Sequence, residues 1–408
     1  MIKLDVWLTL PAGVVVKAGM LAVSDPDFRG ALQGQFRYDP EYLAAPDAFP
    51  LDPLHLPLAA KIFDADRPHS GVHGVFEDSL PDDWGRRIMA RRFHLGRTEQ
   101  RVPYLLQLLG DQGLGALIYV DQGKPMLMAP GVSCRHLEEL AILAGKFEAD
   151  PMSVADDELS ILFQAGSSPG GARPKALVYD ENGAYLAKFA STRDHLDVVG
   201  LEAAAMDLAR QAGIKTAETS LLMLGSRKCL LVKRFDVNPA GGRNHLISMQ
   251  TLLATDGYYN AGYRELAEKL RHISAAPQAD LGMLYRQMVF NVMVGNTDDH
   301  LKNFFMLHDE RGWALSPAFD LTPNIGSNQE HVLRIGLDFR VPDLKTILAE
   351  APYFGIKRQQ QAMDVVAEIH EVVSQWKSAF NRTGVPEKDA RAIGADIVQR
   401  LKKSDPGV

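Results

Sequence analysis

The chain has 408 residues, of which 46% are hydrophobic, enough for two or three domains with sizeable cores. Lys and Arg number 44 against 51 Asp and Glu, and the net charge of −7 argues against autonomous binding to a nucleic-acid backbone, which needs a concentrated basic surface. No run approaches the roughly 20 apolar residues that span a bilayer, Asp5 stands where a signal peptide would be apolar, and the two cysteines, Cys134 and Cys229, lack metal-type spacing, so a soluble cytoplasmic protein with no membrane partner is expected.

Residues 1 to about 60 alternate like strands, in Leu4-Asp5-Val6-Trp7-Leu8, Val14 to Leu21 and Gln33 to Tyr38, between Pro- and Asp-rich turns. A small β-domain follows from that pattern. From Asp83 to Leu109 the period turns helical, and Trp84 to Phe93 is strongly basic: either a solvated face or a dock for an acidic patch or for nucleic acid brought by a partner. The acidic, Pro-containing stretch from Glu148 to Asp157 reads as a linker, which divides the chain into residues 1–155 and 156–408.

Beyond it lies Ala165-Gly166-Ser167-Ser168-Pro169-Gly170-Gly171-Ala172-Arg173-Pro174-Lys175, then a strand from Ala176 to Tyr179. Small residues let backbone N–H groups approach phosphate oxygens, and Arg173 or Lys175 adds positive charge there. An ordinary Gly-rich loop fits the same residues. The alternating Tyr185-Leu186-Ala187-Lys188-Phe189 places a lysine in mid-strand, and the expected helix Val199 to Ala212 carries Glu202 in its first turn as a partner for it. Cys229 to Asp236 reads as a strand running into the polar junction Asn238 to Gly242; Lys233 to Phe235 fits an extended segment whose main chain holds an adenine ring, or an edge strand with a charged end.

After Gly242 the chain reads as mostly helical, including Val365 to Phe380, and Leu281 to Val294 is apolar at helical spacing. It anchors Asn296-Thr297-Asp298-Asp299-His300-Leu301-Lys302-Asn303, followed by the hairpin pattern Phe304 to Leu315 and by Asp320. An Asp, an Asn five residues on and a second Asp is the order of a base and two Mg²⁺ ligands in protein-kinase-like enzymes. A hydroxyl nucleophile needs a carboxylate to orient it and take its proton, while Mg²⁺ prefers an amide oxygen and a second carboxylate beside the phosphates. Asp298, Asn303 and Asp320 supply those groups in order; the plain alternative is that they cap turns.

These motifs resemble those of the HipA family, serine/threonine kinase toxins of bacterial toxin–antitoxin modules, over nearly the whole length. Asp298-Asp299-His300-Leu301-Lys302-Asn303 is similar to the family's catalytic loop, Phe319-Asp320 to its metal motif, Ser168 to Lys175 to its phosphate loop, Arg234-Phe235-Asp236 to its hinge, and Gly74 to Asp82 to its N-terminal Phe-x-x-Leu-Leu-Pro-Asp signature. The departures are Lys233 at an often acidic hinge position, Ser79 at a usual leucine, a more glycine-rich phosphate loop, and the absence of Asp-Phe-Gly and His-Arg-Asp.

The resemblance implies an α+β fold: an N-terminal β-rich domain, then a protein-kinase-like bilobal domain with an N-lobe near 156–237 and an all-helical C-lobe near 243–408. It implies ATP and Mg²⁺ as cofactors, Asp298 as base, Asn303 and Asp320 as metal ligands, and Ser167, Ser168, Gly170, Gly171, Lys175, Lys188, Lys233, Phe235, His300 and Lys302 as nucleotide-site residues. It further implies a protein substrate, typically an aminoacyl-tRNA synthetase, a DNA-binding antitoxin partner, and Ser168 as an autophosphorylated serine, with the adjacent Ser167 as the alternative site and a plain turn-forming role for both as the other reading. Two rival readings remain: a small-molecule kinase of the aminoglycoside-phosphotransferase type, and an inactive ATP-binding scaffold that contacts a DNA-bound regulator. A metal hydrolase built on Asp298, Asp299 and His300 is disfavoured because no second His pair stands at ligand spacing.

Overall fold

A computed structural model of the chain describes residues 1–127, 131–166, 171–238, 241–255, 257, 259–324, 326 and 329–407. The chain forms two compact units, the first made of residues 1–192, 233–247 and 307–310 and the second of 193–232, 248–306 and 311–408.

The first unit opens with a five-stranded antiparallel sheet of β1 (Ile2–Thr9), β2 (Val15–Val23), β3 (Gly34–Tyr38), β4 (Phe63–Asp64) and β5 (Leu117–Asp121), in the order β4-β3-β2-β1-β5. Leu4, Val6 and Leu8 alternate along β1 and are wholly buried, which fixes its register because a one-residue slip would turn all three outward. The unit also contains α1 (Pro40–Ala44), α2 (Gly74–Glu77), α3 (Asp83–Arg92), α4 (Val102–Leu109), α5 (Leu137–Ala149) and α6 (Asp156–Gly166), of which α1 and α4 pack on this sheet, and then the antiparallel pair β6 (Lys175–Asp180) and β7 (Gly183–Phe189), on which α5 and α6 pack.

The expected linker at 148–157 is instead a tight helical corner. Its residues end α5, make a 3-10 turn at Pro151–Ser153 and begin α6. Asp150 caps the turn by accepting the Met152 N–H, and Glu148 is buried, its carboxylate accepting from the Ser191 hydroxyl and from the N–H and hydroxyl of Thr192. The acidic residues and proline that suggest a linker are here doing the work of caps.

Ser79, the departure from the family signature, is buried; its hydroxyl donates to Phe76 O at 2.6 Å and lies 2.5 Å from the Tyr119 hydroxyl. A leucine would leave that tyrosine one partner short. The basic run on α3 is locally partnered: Arg86 Nε donates to Pro81 O, Arg91 Nε to Pro151 O, and the Arg87 guanidinium sits 5.8 Å from the Phe147 ring centre.

The second unit contains α7 (Val198–Gln211), the hairpin of β8 (Thr219–Leu224) and β9 (Arg227–Lys233), α8 (Met249–Leu252), α9 (Tyr263–Ile273), α10 (Pro277–Val294), α11 (Leu344–Glu350), α12 (Gln359–Val373), α13 (Trp376–Arg382) and α14 (Glu387–Lys403). Two short strands, Phe305–Asp309 and Gly312–Leu315, flank the turn expected from the sequence. Helix α10 is buried almost all round its C-terminal half, as a helix at the centre of a bundle must be. Pro277 opens it, and Gly295, with φ of +78°, ends it in the left-handed conformation. A Cβ at Gly295 would also meet Asp396 and Arg400 at 2.8 and 3.0 Å, so a glycine is required there twice over.

Candidate active site

The loop that leaves α10 alternates between anchored and exposed residues. Asn296 and Thr297 are buried, Asp298 is exposed, Asp299 is buried, and His300 and Lys302 are half-buried around the 3-10 turn Leu301–Asn303. Asn303 is buried, and its Nδ2 donates to the Asp298 carbonyl at 2.8 Å. That bond closes the loop on itself. It also fixes the amide so that Oδ1, the atom a metal would use, is on the other side from the occupied nitrogen.

Beneath the loop lies a polar network that sequence reasoning missed. Asp299 Oδ2 accepts from the Tyr263 hydroxyl at 2.8 Å and stands 3.1 Å from His331 Nδ1, while Oδ1 accepts from the N–H groups of Val332 and Leu333 at 3.0 and 3.3 Å. His331 Nε2 faces the Arg400 guanidinium at 3.4 Å; arginine can only donate, which assigns the proton to Nδ1 and makes His331 a donor to Asp299. Arg400, 1% exposed, is held in turn by Asp396 and donates to Val292 O and Gln329 Oε1. Asn291 Nδ2 donates to the Tyr263 oxygen at 2.9 Å, and Asn296 Nδ2 donates to Asn291 Oδ1 at 3.1 Å. Burial, with the Asp299 charge adding to it, holds the Tyr263 phenol well above its ordinary pKa, so it remains a donor.

Asp320 arrives from the other side of the turn. The preceding Ala318 is strapped to the segment after α7, donating to Lys215 O and accepting from Ala217 N–H, and the Phe319 ring lies 6.0 Å from that of Phe305. Asp320 itself has φ of +56°, a left-handed conformation uncommon for a residue with a Cβ, and its side chain is half-buried. Strain of this kind persists where the surroundings over-determine it and clusters at functional sites.

In the first unit, Lys175 and Lys188 are directly opposite across β6 and β7, so both side chains leave the same face. Lys175 is 3% exposed, with Nζ donating to Gly171 O at 3.1 Å; Lys188 is half-buried. Like charges in such a pair repel, an arrangement that an anion relieves. Gly171 has φ of +62° and is exposed. Ser167, Ser168 and Gly170 lie outside the described residues.

The hinge motif divides its labour. Lys233 and Phe235 are half-buried, whereas Arg234 and Asp236 form a buried ion pair, Nε to Oδ1 at 3.0 Å, and Asp236 Oδ2 also accepts the Gly115 N–H at 2.8 Å. Burial alone would raise the Asp236 carboxyl, but Arg234 outweighs it and holds the group below the usual carboxylate range. Two of the three motif residues therefore brace the N-terminal domain's 113–115 turn.

The donor set fits Mg²⁺. A hard cation that keeps phosphate and water oxygens needs only one or two protein ligands, and the Asn303 amide oxygen and Asp320 carboxylate are of that kind. Among the described residues no three His, Cys, Asp or Glu side chains gather at metal-binding distance. A three-ligand site using Asp299 would have to strip it of four hydrogen-bonding partners.

The architecture is thus an α+β, protein-kinase-like fold carrying an exposed aspartate on a loop braced from within. Residues 167–404 match the family described as the HipA-like C-terminal domain and residues 16–120 that described as the HipA N-terminal domain. The chain belongs to the HipA family. It is similar to "Putative kinase Y4mE" of Sinorhizobium fredii (strain NBRC 101917 / NGR234), 26% identical over 336 residues that cover 72% of this chain and 76% of the relative. Toxin YjjJ of Escherichia coli (strain K12) is 27% identical over 177 residues, 39% of each protein. Shewanella oneidensis MR-1 HipA, solved with HipB and operator DNA, shares the fold with a TM-score of 0.71 at 18% identity, over 98% of this chain and 96% of that one.

Proposed function

We propose that this protein is an ATP- and Mg²⁺-dependent serine/threonine protein kinase, a toxin that modifies a cellular protein and is restrained by a DNA-binding antitoxin. The observation that carries the reading is Asp298, exposed on a loop whose carbonyl is tied to Asn303 and whose next residue is locked into a buried network. Bound Mg²⁺ would supply charge neutralisation of the phosphates. Asp298 accepts the proton of the attacking hydroxyl, Asn303 and Asp320 hold the metal, and the 166–175 loop with Lys175 and Lys188 holds the phosphates. His300 and Lys302 are read as further nucleotide-site residues, and the main chain of Lys233 to Phe235 receives the adenine. The antitoxin partner is supported by the HipB and operator DNA that accompany the similar Shewanella HipA.

Lys188→Ala is expected to raise the ATP concentration needed for half-maximal rate by roughly tenfold and to lower turnover, the scale of a charge-assisted contact. Glu202, buried on α7, is proposed to position that lysine, so Glu202→Ala should act in the same direction but more mildly. ATP titration of both variants checks this, and wild-type curves for both would reject the pairing.

Self-inactivation is proposed at Ser168. A phosphate there adds about 1.5 to 2 negative charges, which would occupy the loop's N–H groups and repel the nucleotide. Mass spectrometry after incubation with Mg-ATP should find phosphate on Ser168 in wild type and none in Asp298→Ala. Equal phosphate in both proteins, or none in wild type, would refute self-modification.

A further inference from the structure

The Gly171–Lys175 end of the Gly-rich loop is gripped by the N-terminal domain. Gly171 N–H donates to Asp82 Oδ2 at 3.2 Å, the Trp84 N–H donates to Gly171 O at 3.4 Å, and the Trp84 indole Nε1 donates to Lys175 O at 3.0 Å. Trp84 is wholly buried, edge-on to Phe147 with ring centres 5.4 Å apart, so its indole is fixed by packing. The other end of the loop is carried by the same helix. α6, which leads into the loop, packs along α3, with Phe93 edge-on to Phe163 at 5.0 Å.

We infer that Asp82 and Trp84 are positioning residues for nucleotide binding: through the first turn of α3 the N-terminal domain sets the conformation of residues 171–175, the described end of the phosphate loop. This rests on the nucleotide-site reading above. The inference gives the N-terminal Pro81-Asp82 signature a role distinct from packing. Asp82 tops α3 without capping its own N–H groups, and its carboxylate accepts from the Gly171 N–H. Gly171 at φ of +62° has no intrinsic preference for that conformation over others, since glycine is permissive; an external acceptor selects it. Any partner that shifts α3 would then change the affinity for nucleotide at a distance.

The test compares Asp82→Ala, Asp82→Asn and Trp84→Phe in the full-length protein. Asp82→Ala and Trp84→Phe are expected to raise both KM and Kd for ATP by roughly three- to tenfold, the worth of one hydrogen bond, with kcat changed less. Asp82→Asn keeps an acceptor oxygen and should return to near wild-type values. Hydrogen exchange of the 171–176 segment should quicken in the first two variants and not in the third, a readout that does not depend on catalysis. Unchanged ATP affinity and unchanged exchange in Asp82→Ala would overturn the inference while leaving the kinase reading standing. Tighter ATP binding in Asp82→Ala would overturn it too, by showing the carboxylate to be a competitor for the Gly171 N–H. A wild-type protein that binds no ATP would instead overturn the nucleotide-site reading, and this inference with it.

Discussion

Asp298→Ala should reduce phosphoryl transfer by about 10³-fold or more, with the thermal unfolding midpoint essentially unchanged. The side chain is exposed, and the bond from Asn303 that closes the loop uses the residue's carbonyl, which alanine keeps. Removing a group that acts on the reacting atoms costs several kcal/mol of barrier, the scale of the electrostatic contributions that dominate such sites. Asp320→Ala should lose activity to a similar extent. Its stability is separable from its activity, because φ of +56° is a conformation glycine adopts freely: Asp320→Gly should stay within about 1 kcal/mol of wild-type stability while remaining inactive. Initial rates alongside unfolding curves check both, and substantial activity in either alanine variant would remove that residue from the assignment.

Asp299→Ala should behave in the opposite way and destabilise the fold by about 3 kcal/mol or more. Its carboxylate is the shared acceptor for Tyr263, His331 and two backbone N–H groups, and it is 1% exposed. Deleting it strands those donors in a site water does not reach, and breaking a buried charged network from one side costs on that scale. Tyr263→Phe removes one donor of the four and should cost about 1 kcal/mol. Urea denaturation measures both; a loss in Asp299→Ala no greater than in Asp298→Ala would mean that the network does not brace the loop.

The neighbouring aspartates show how far the sequence could be read. Their order with Asn303, the helix before them and the turn after them are all local patterns: an apolar stretch of helical period, a gap of fixed length, an alternating pair of strands. Which aspartate faces solvent is not local. It depends on Tyr263, His331 and Arg400, which no spacing connects to residue 299 and which only the packing of α9, α14 and the irregular segment around residue 331 brings together. One signal was present: Asn291 interrupts the otherwise apolar Phe290 to Val294, and a polar residue on a helix buried all round has to be bonded to something.

Elsewhere the same chemistry served a different purpose from the one its composition suggested. Pro151 and the acids around it fit a linker by composition, yet capping uses the same residue types, and only the burial of Glu148 distinguishes the two. Arg234 and Asp236 look like ends of a hinge strand in sequence. Their pairing is local, but their grip on Gly113 and Gly115 comes from contacts 121 residues away, beyond any window of periodicity.

The most direct test of the central claim is transfer of the γ-phosphate of ³²P-labelled ATP, with Mg²⁺, to a cell extract, comparing wild type with Asp298→Ala. The account predicts label on serine or threonine of at least one extract protein with wild type and none with the variant. Label that passes only to small molecules, or protein labelling that is equal in the two, would contradict it.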